Sequence, residues 1–239
     1  MSLSLLALAL LAQDAPPSVA MPGELLVCGT DDSMESRECR AQLAMKDGRQ
    51  ADAAAEFMAI AGEATDLRSA GQAYAAAATL YNVAKDYERA HEAAAAAAAT
   101  NSLEPMQLGW VLVDQAWALH ELGRLEESNA ALASAGQLVQ DDPFYWLAAA
   151  EMAGQSGDYA TALTRIGQAE QRAPDSPEVL FTKGEVLMAS GDEAGAKAAW
   201  QAAILAMPDH PAAQIANERL QALEPLAPTP DVPPEEPAR

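Results

Sequence analysis

The residues able to do chemistry in this chain are few and scattered. His91, His120 and His210 are the three histidines. A zinc site uses spacings such as His-x3-His or His-Glu-x2-His, which put two groups on one helix face. Neither spacing occurs. There is no Gly-x-Ser-x-Gly elbow, no glycine loop to cradle a phosphate and no Cys-x2-Cys. The carboxylate pairs Asp86/Glu88 and Glu126/Glu127 fall near expected turns, where acids are ordinarily solvated. No catalytic residue, metal site or cofactor is therefore expected, and the chain does not read as an enzyme. Cys28 and Cys39 are the two cysteines, eleven positions apart. In an oxidising compartment they could close a loop, worth about 2–3 kcal/mol if unstrained. The other reading is two separate thiols.

The elements around these residues are helical. Of 239 residues, 57 are alanine, which loses no side-chain entropy in a helix. Strand-favouring residues are sparse. Thirty-five acids face 14 bases, a net charge of −21. Such a balance excludes a nucleic-acid binder, which needs cations to displace counterions, and a protein that adheres to anionic membranes. No apolar run reaches the roughly 18 residues of a spanning helix.

Three segments flank the helical part. Residues 2–12, SLSLLALALLA, are apolar and uncharged, so 1–12 reads as a secretory signal peptide. Residues 13–33 form an N-terminal arm. Val27 before Cys28, with Asp14 and Glu24 upstream, disfavours a lipoprotein signal. Residues 224–239 hold six prolines and read as a disordered acidic tail. Arginines outnumber lysines 10 to 4, which with the alanine content hints at a GC-rich bacterial genome. Export would then mean the periplasm. The alternative is a cytoplasmic protein with a frayed apolar N-terminus.

A period of 34 organises the rest. Gly123, Gly157 and Gly191 keep that step, as do Leu112, Trp146 and Leu180. So do Ala116, Ala150 and Gly184; Leu119, Ala153 and Leu187; Leu132, Ile166 and Trp200; and Ala135, Ala169 and Ala203. Pro174 and Pro208 close two successive units. Residues 177–210 carry the fullest pattern: Leu180, Gly184, Leu187, the turn SGD, Ala196, Trp200, Ala203 and Pro208. Residues 109–142 depart from it at Ser128 and at Gln140, where the proline is missing. Inserting residues 105–108 and then 68–70 carries the frame upstream. Lys85 then replaces the turn glycine, and Arg37 stands where a large apolar residue belongs.

These columns resemble the tetratricopeptide repeat family. The resemblance implies an all-α, right-handed superhelical solenoid of antiparallel helix hairpins over residues 34–223. About five units would be closed by a capping helix, PAAQIANERLQAL. Small columns would let paired helices approach, and large ones would fill the space between hairpins.

By the same resemblance, the first helix of each hairpin lines the inner face. Its residues would be Gln72, Thr79 and Asn82 in unit two, then Trp110, Val113, Asp114, Trp117 and His120. Phe144, Leu147 and Glu151 follow in unit four, and Phe181, Glu185 and Met188 in unit five. Aromatics beside unpaired acids suit a protein or peptide ligand with apolar anchors and a basic residue. The competing reading is that several of these aromatics only pack between helices. Some members of the family grip C-terminal carboxylates with inner Lys, Arg and Asn, and those bases are missing from units two to five. Function is thus expected to be non-catalytic binding, as an adaptor or scaffold using units three to five. Self-association through the alanine-rich units one and two is the alternative.

Overall fold

In a computed structural model, residues 28–223 are described. Residues 1–12, most of the expected arm and the proline-rich tail lie outside that range. Among the described residues every regular element is an α-helix. They run α1 (Met34–Lys46), α2 (Gln50–Glu63), α3 (Leu67–Val83), α4 (Tyr87–Ala99), α5 (Pro105–Glu121), α6 (Leu125–Val139), α7 (Pro143–Gln155), α8 (Tyr159–Arg172), α9 (Pro177–Ala189), α10 (Glu193–Ala206) and α11 (Pro211–Ala222). The chain divides into two compact units, with the boundary between Met152 and Ala153, inside α7. The first unit stacks the hairpins α1–α2, α3–α4 and α5–α6 and the start of α7. The second holds the end of α7, α8, the hairpin α9–α10, and α11.

Short polar side chains start the helices. Ser33, Asp66, Asp86, Asp158, Ser176 and Asp192 each accept a backbone N–H from the first turn. The first helix begins at Met34 with Ser33, and not the preceding acid, as its cap. Asp31 accepts the Ser33 amide and hydroxyl instead. Prolines open α5, α9 and α11, where a missing N–H costs nothing.

One turn geometry joins the two helices of every hairpin. The residue after a left-handed position donates its N–H back five places: Arg49 to Ala44, Asp86 to Tyr81, Arg124 to Leu119, Asp158 to Ala153 and Asp192 to Leu187, all at 2.8–2.9 Å. Gly48, Gly123, Gly157 and Gly191 hold the left-handed position with φ of 74° to 93°. Lys85 holds the second with φ 61°. A Cβ there crowds the following carbonyl.

The 34-residue period is interrupted by helix, not by loop. Residues 68–70 and 105–108 belong to the first turns of α3 and α5. Those two helices have 17 residues, against 13 in α1, α7 and α9. The added turns are tied at their outer end. Ser102 Oγ donates to Leu67 O at 2.7 Å, and Arg68 pairs with Glu104 at 3.0 Å.

The small columns are closed to solvent. Ala53, Ala78, Ala90, Ala94, Ala97, Ala116, Ala135, Ala150, Ala162, Ala169, Ala196 and Ala203 are all fully buried. A Cβ on Gly184 would lie 2.3–2.9 Å from the Trp200 indole, and Trp200 is itself buried. The two departures in unit three have local remedies. Ser128 is buried and donates its hydroxyl to Ala116 O at 2.7 Å across the hairpin. Gln140 O, where the closing proline is missing, accepts the Trp146 indole N–H at 2.8 Å.

Arg37 likewise stands in place of a large apolar residue, with its side chain mostly buried. It bridges Asp32, Glu56 and Glu63, and Arg40 adds a two-pronged contact to Glu56. These arginines hold the Glu56 carboxyl below its ordinary range, with Arg40 the larger cause. Arg40 also donates to the carbonyls of Gly29 and Asp31. Cys28 and Cys39 are disulfide-bonded, with Cα atoms 5.5 Å apart, so the segment before α1 is pinned to it twice.

Replacing Lys85 with glycine removes the left-handed strain and adds flexibility to the unfolded chain. The first effect is the larger, so Lys85→Gly should raise the unfolding midpoint, by about 1 kcal/mol of stability. Lys85→Ala, which keeps the Cβ, should not. Thermal melts of the three proteins check this.

Candidate peptide-binding faces

In the first unit, α5 carries Trp110, Val113, Asp114, Trp117 and His120 on one stripe, since steps of three, four and seven return to the same side of a helix. Trp110 and Trp117 are partly buried. Both lean on a core cluster that contains Val113, Leu132, Val139, Tyr145 and Met152. Each also keeps an accessible part. Val113 is 6% exposed and belongs to that core, and Leu147 on α7 is 2% exposed. Neither can anchor a ligand as the sequence suggests. Their short aliphatic side chains point between helices and are consumed by packing. Phe144 is partly exposed at the start of α7, its N–H capped by Asp142 at 2.9 Å. His120 is half-buried, and burial lowers its pKa from the ordinary value against the opposing charge of Glu121. Glu151 is partly buried.

Asp114 faces helix α3. Thr79 Oγ1 donates to its Oδ2 at 2.5 Å. Asn82 Nδ2 donates to its carbonyl at 2.9 Å and to its Oδ1 at 3.4 Å. Burial drives the Asp114 pKa up to about 6, and the two hydrogen bonds only partly offset it. Thr79 has one proton for two acceptors, because Ala75 O also lies 3.3 Å from its hydroxyl. When Asp114 is protonated its O–H can donate to Thr79 and free that proton for Ala75. When Asp114 is ionised, Thr79 must serve the carboxylate. Asn82 Oδ1 is buried with no hydrogen-bond partner.

In the second unit, Phe181 and Met188 of α9 pack partly exposed against the cluster of Leu180, Trp200 and Ala203. Glu185 is not the unpaired acid that the sequence suggests. Arg219 of α11 meets its carboxylate at 3.1 and 3.3 Å. The pair is 34 residues apart, one full repeat, because α9 and α11 hold equivalent places. That spacing was the available signal for it. Glu178 next to the α11 cap is similarly engaged, accepting from Ser176 Oγ at 2.6 Å and meeting His210 Nε2 at 3.0 Å. Among the described residues, no three His, Cys, Asp or Glu side chains converge as metal ligands, and no helix is long and apolar enough to cross a membrane.

The family model described as tetratricopeptide repeat matches residues 155–222. The chain carries tetratricopeptide repeats over those residues. Its fold is shared by a thermophilic TPR protein of Thermus thermophilus, at 17% identity and a TM-score of 0.59, over 80% of this chain and 100% of the other. BtubC of P. vanneervenii is similar at 15% identity and a TM-score of 0.58, over 82% and 84%. PilF of Pseudomonas aeruginosa is similar at 14% identity and a TM-score of 0.53, over 81% and 83%. At such identities the likeness is one of fold. Curated protein sequences give no match. The first helices of the last three hairpins, α5, α7 and α9, carry these eleven residues between them.

The Asp114 environment sets a pH dependence. Its folded pKa lies above the unfolded value of 3.8, so the folded state binds the extra proton between about pH 4 and 6. Stability from this group is present below that window and is lost as pH rises through it. Asp114→Asn should therefore gain on the wild type by about 2–3 kcal/mol between pH 4 and pH 7.5. Urea unfolding at both pH values measures the change. A difference that does not vary with pH would refute the assignment.

Proposed function

We propose that the chain is a non-catalytic adaptor that holds a protein or peptide against the inner faces of its hairpins. The observation that carries this is the pair Trp110 and Trp117. They are seven residues apart on α5, seated on the core yet partly accessible. Large aromatics supported from below and open above are what interface hot spots require, because they offer rigid area at little entropic cost. Phe181 and Met188 offer a second, smaller face in the other unit. The fold itself favours this reading, since stacked hairpins create long surfaces.

We also propose that the protein is exported. The Cys28–Cys39 bridge supports an oxidising compartment, and the apolar residues 2–12 fit a secretory signal. Mass spectrometry of the protein from its native cell should find a mature N-terminus near Gln13 and no free thiol. An intact Met1 with reduced cysteines would contradict export.

Self-association is the second reading. It is favoured by Leu205 and Met207 at the end of α10, which are 83% and 50% exposed. In α4, by contrast, Ala90, Ala93, Ala94 and Ala97 are consumed within the first unit. Light scattering at high concentration separates the readings: a monomer removes self-association.

The adaptor reading is tested by Trp117→Ala and Phe181→Ala, one in each unit. Partners captured on the wild type are identified, and binding of the purified partner is then measured for each variant. Loss of an aromatic anchor should weaken binding about tenfold or more, with the helical circular dichroism unchanged. Unaltered affinity in both variants would remove the inner faces from the function.

A further inference from the structure

We propose that Asp114, Thr79 and Asn82 form a receptor for the cationic side chain of a bound peptide, a lysine or arginine flanked by apolar residues. The inference rests on the adaptor reading above and deepens it.

The first ground is an excess of acceptors. The two carboxylate oxygens of Asp114 receive only the Thr79 hydroxyl proton and, at 3.4 Å, an Asn82 amide proton that lies nearer the Asp114 main-chain carbonyl. Asn82 is 8% exposed and its Oδ1 is left without a donor. A buried acceptor without a donor is costly. Among the described residues nothing supplies what is missing. Among the described residues no lysine or arginine ion pair reaches Asp114. Three basic groups of the neighbouring helices and turns are engaged elsewhere: Arg68 with Glu104, Arg89 with Asp86, and Arg124 with Glu127. His91 is turned to Gln115, with Nδ1 at 3.5 Å from the amide nitrogen. An ammonium or guanidinium group brings only donors, and a positive charge with them. An anion or a carbonyl would add to the excess.

The second ground is placement. Asp114 lies on α5 between Trp110 and Trp117, four residues from one and three from the other. At 1.5 Å per residue these are axial steps of about 6 and 4.5 Å. Same-side residues of an extended peptide recur every two positions, about 6.8 Å. A basic residue on Asp114 thus places its neighbours two positions away near the two indoles. The ligand read from this stripe is an apolar–x–basic–x–apolar segment. The raised pKa of Asp114 agrees, since it marks a carboxylate that lacks a counter-charge in the unliganded protein.

The experiment is selection from a randomised peptide-display library on the full chain, on Asp114→Asn and on Thr79→Val. On the wild type, selected sequences should carry Lys or Arg at one fixed position, with apolar residues two places to either side. Replacing that residue with norleucine in a synthetic peptide should weaken binding about tenfold or more. Asp114→Asn should weaken the basic peptide equally and leave the norleucine peptide unaffected. Peptides selected without a fixed basic residue, or a basic preference that survives in Asp114→Asn, overturn this inference and leave the adaptor reading standing. No selected peptides on any protein would overturn both.

Discussion

Everything in this molecule depends on how closely two helices can lie along their alanine columns. Ala116, Ala150, Ala162 and Ala196 expose no area, and each offers the facing helix only a methyl group. Alanine contributes little apolar area, so the columns do not by themselves drive folding. They set the separation at which larger side chains meet. Trp200, Leu80, Ile166 and Val179 are the large residues that the resulting gaps enclose fully. The dependence runs in both directions. Trp200 lies flat where Gly184 has no side chain, and Tyr145 reaches Leu132 O at 3.1 Å over the bare Cα of Gly136. A bulky residue on one helix and a missing side chain on its neighbour are two halves of one contact.

Because spacing is set by columns, the repeat tolerates change wherever a column is kept. The extra turns of α3 and α5 lengthen two helices at their N-terminal ends and leave the turn geometry unaltered from Gly48 to Gly191. Ser128 keeps the size of its column and spends its hydroxyl on a carbonyl of the same hairpin. Arg37 goes further. It fills the place of an apolar residue with a guanidinium that needs Asp32, Glu56 and Glu63 around it. The first hairpin therefore adds charge pairing to its alanine packing, and the disulfide ties the segment before it to α1.

The same distinction decides what could be read from the sequence. Columns repeat, so the hairpins, their turns and the final helix were legible, including the frame upstream of Gly123. Contacts made once do not repeat. Nothing in the sequence distinguishes Val113, which sits in the core, from Trp110 and Trp117 on the same stripe of α5, or marks Leu147 of α7 as buried. That outcome depends on how far each side chain extends beyond its neighbours, and only the two indoles are long enough to reach past them. Glu185 was misread for another reason. Its partner Arg219 belongs to the capping helix, whose departure from the full repeat hid the equivalence of the two positions. Asp114 stands in the stripe that the repeat frame marks, but the donor shortage around it arises from Thr79 and Asn82 together.

Charge ties the faces to their surroundings. Residues 34–210 carry 26 acids and 12 bases. Most of those bases are committed to ion pairs, among them Arg37, Arg40, Arg49, Arg68, Arg89, Arg124, Lys183 and Lys197. The uncommitted charge is therefore negative. Individually such surface pairs stabilise little. Collectively they neutralise the bases and leave a field that draws cations toward the protein and repels anions. A field of that sign does not choose among cationic ligands, because it acts at a distance and is screened by salt. Selection requires a place where a positive charge fits better than water does. Asp114, short of donors and flanked by two indoles, meets that requirement, and the exposed acids of the outer surface do not.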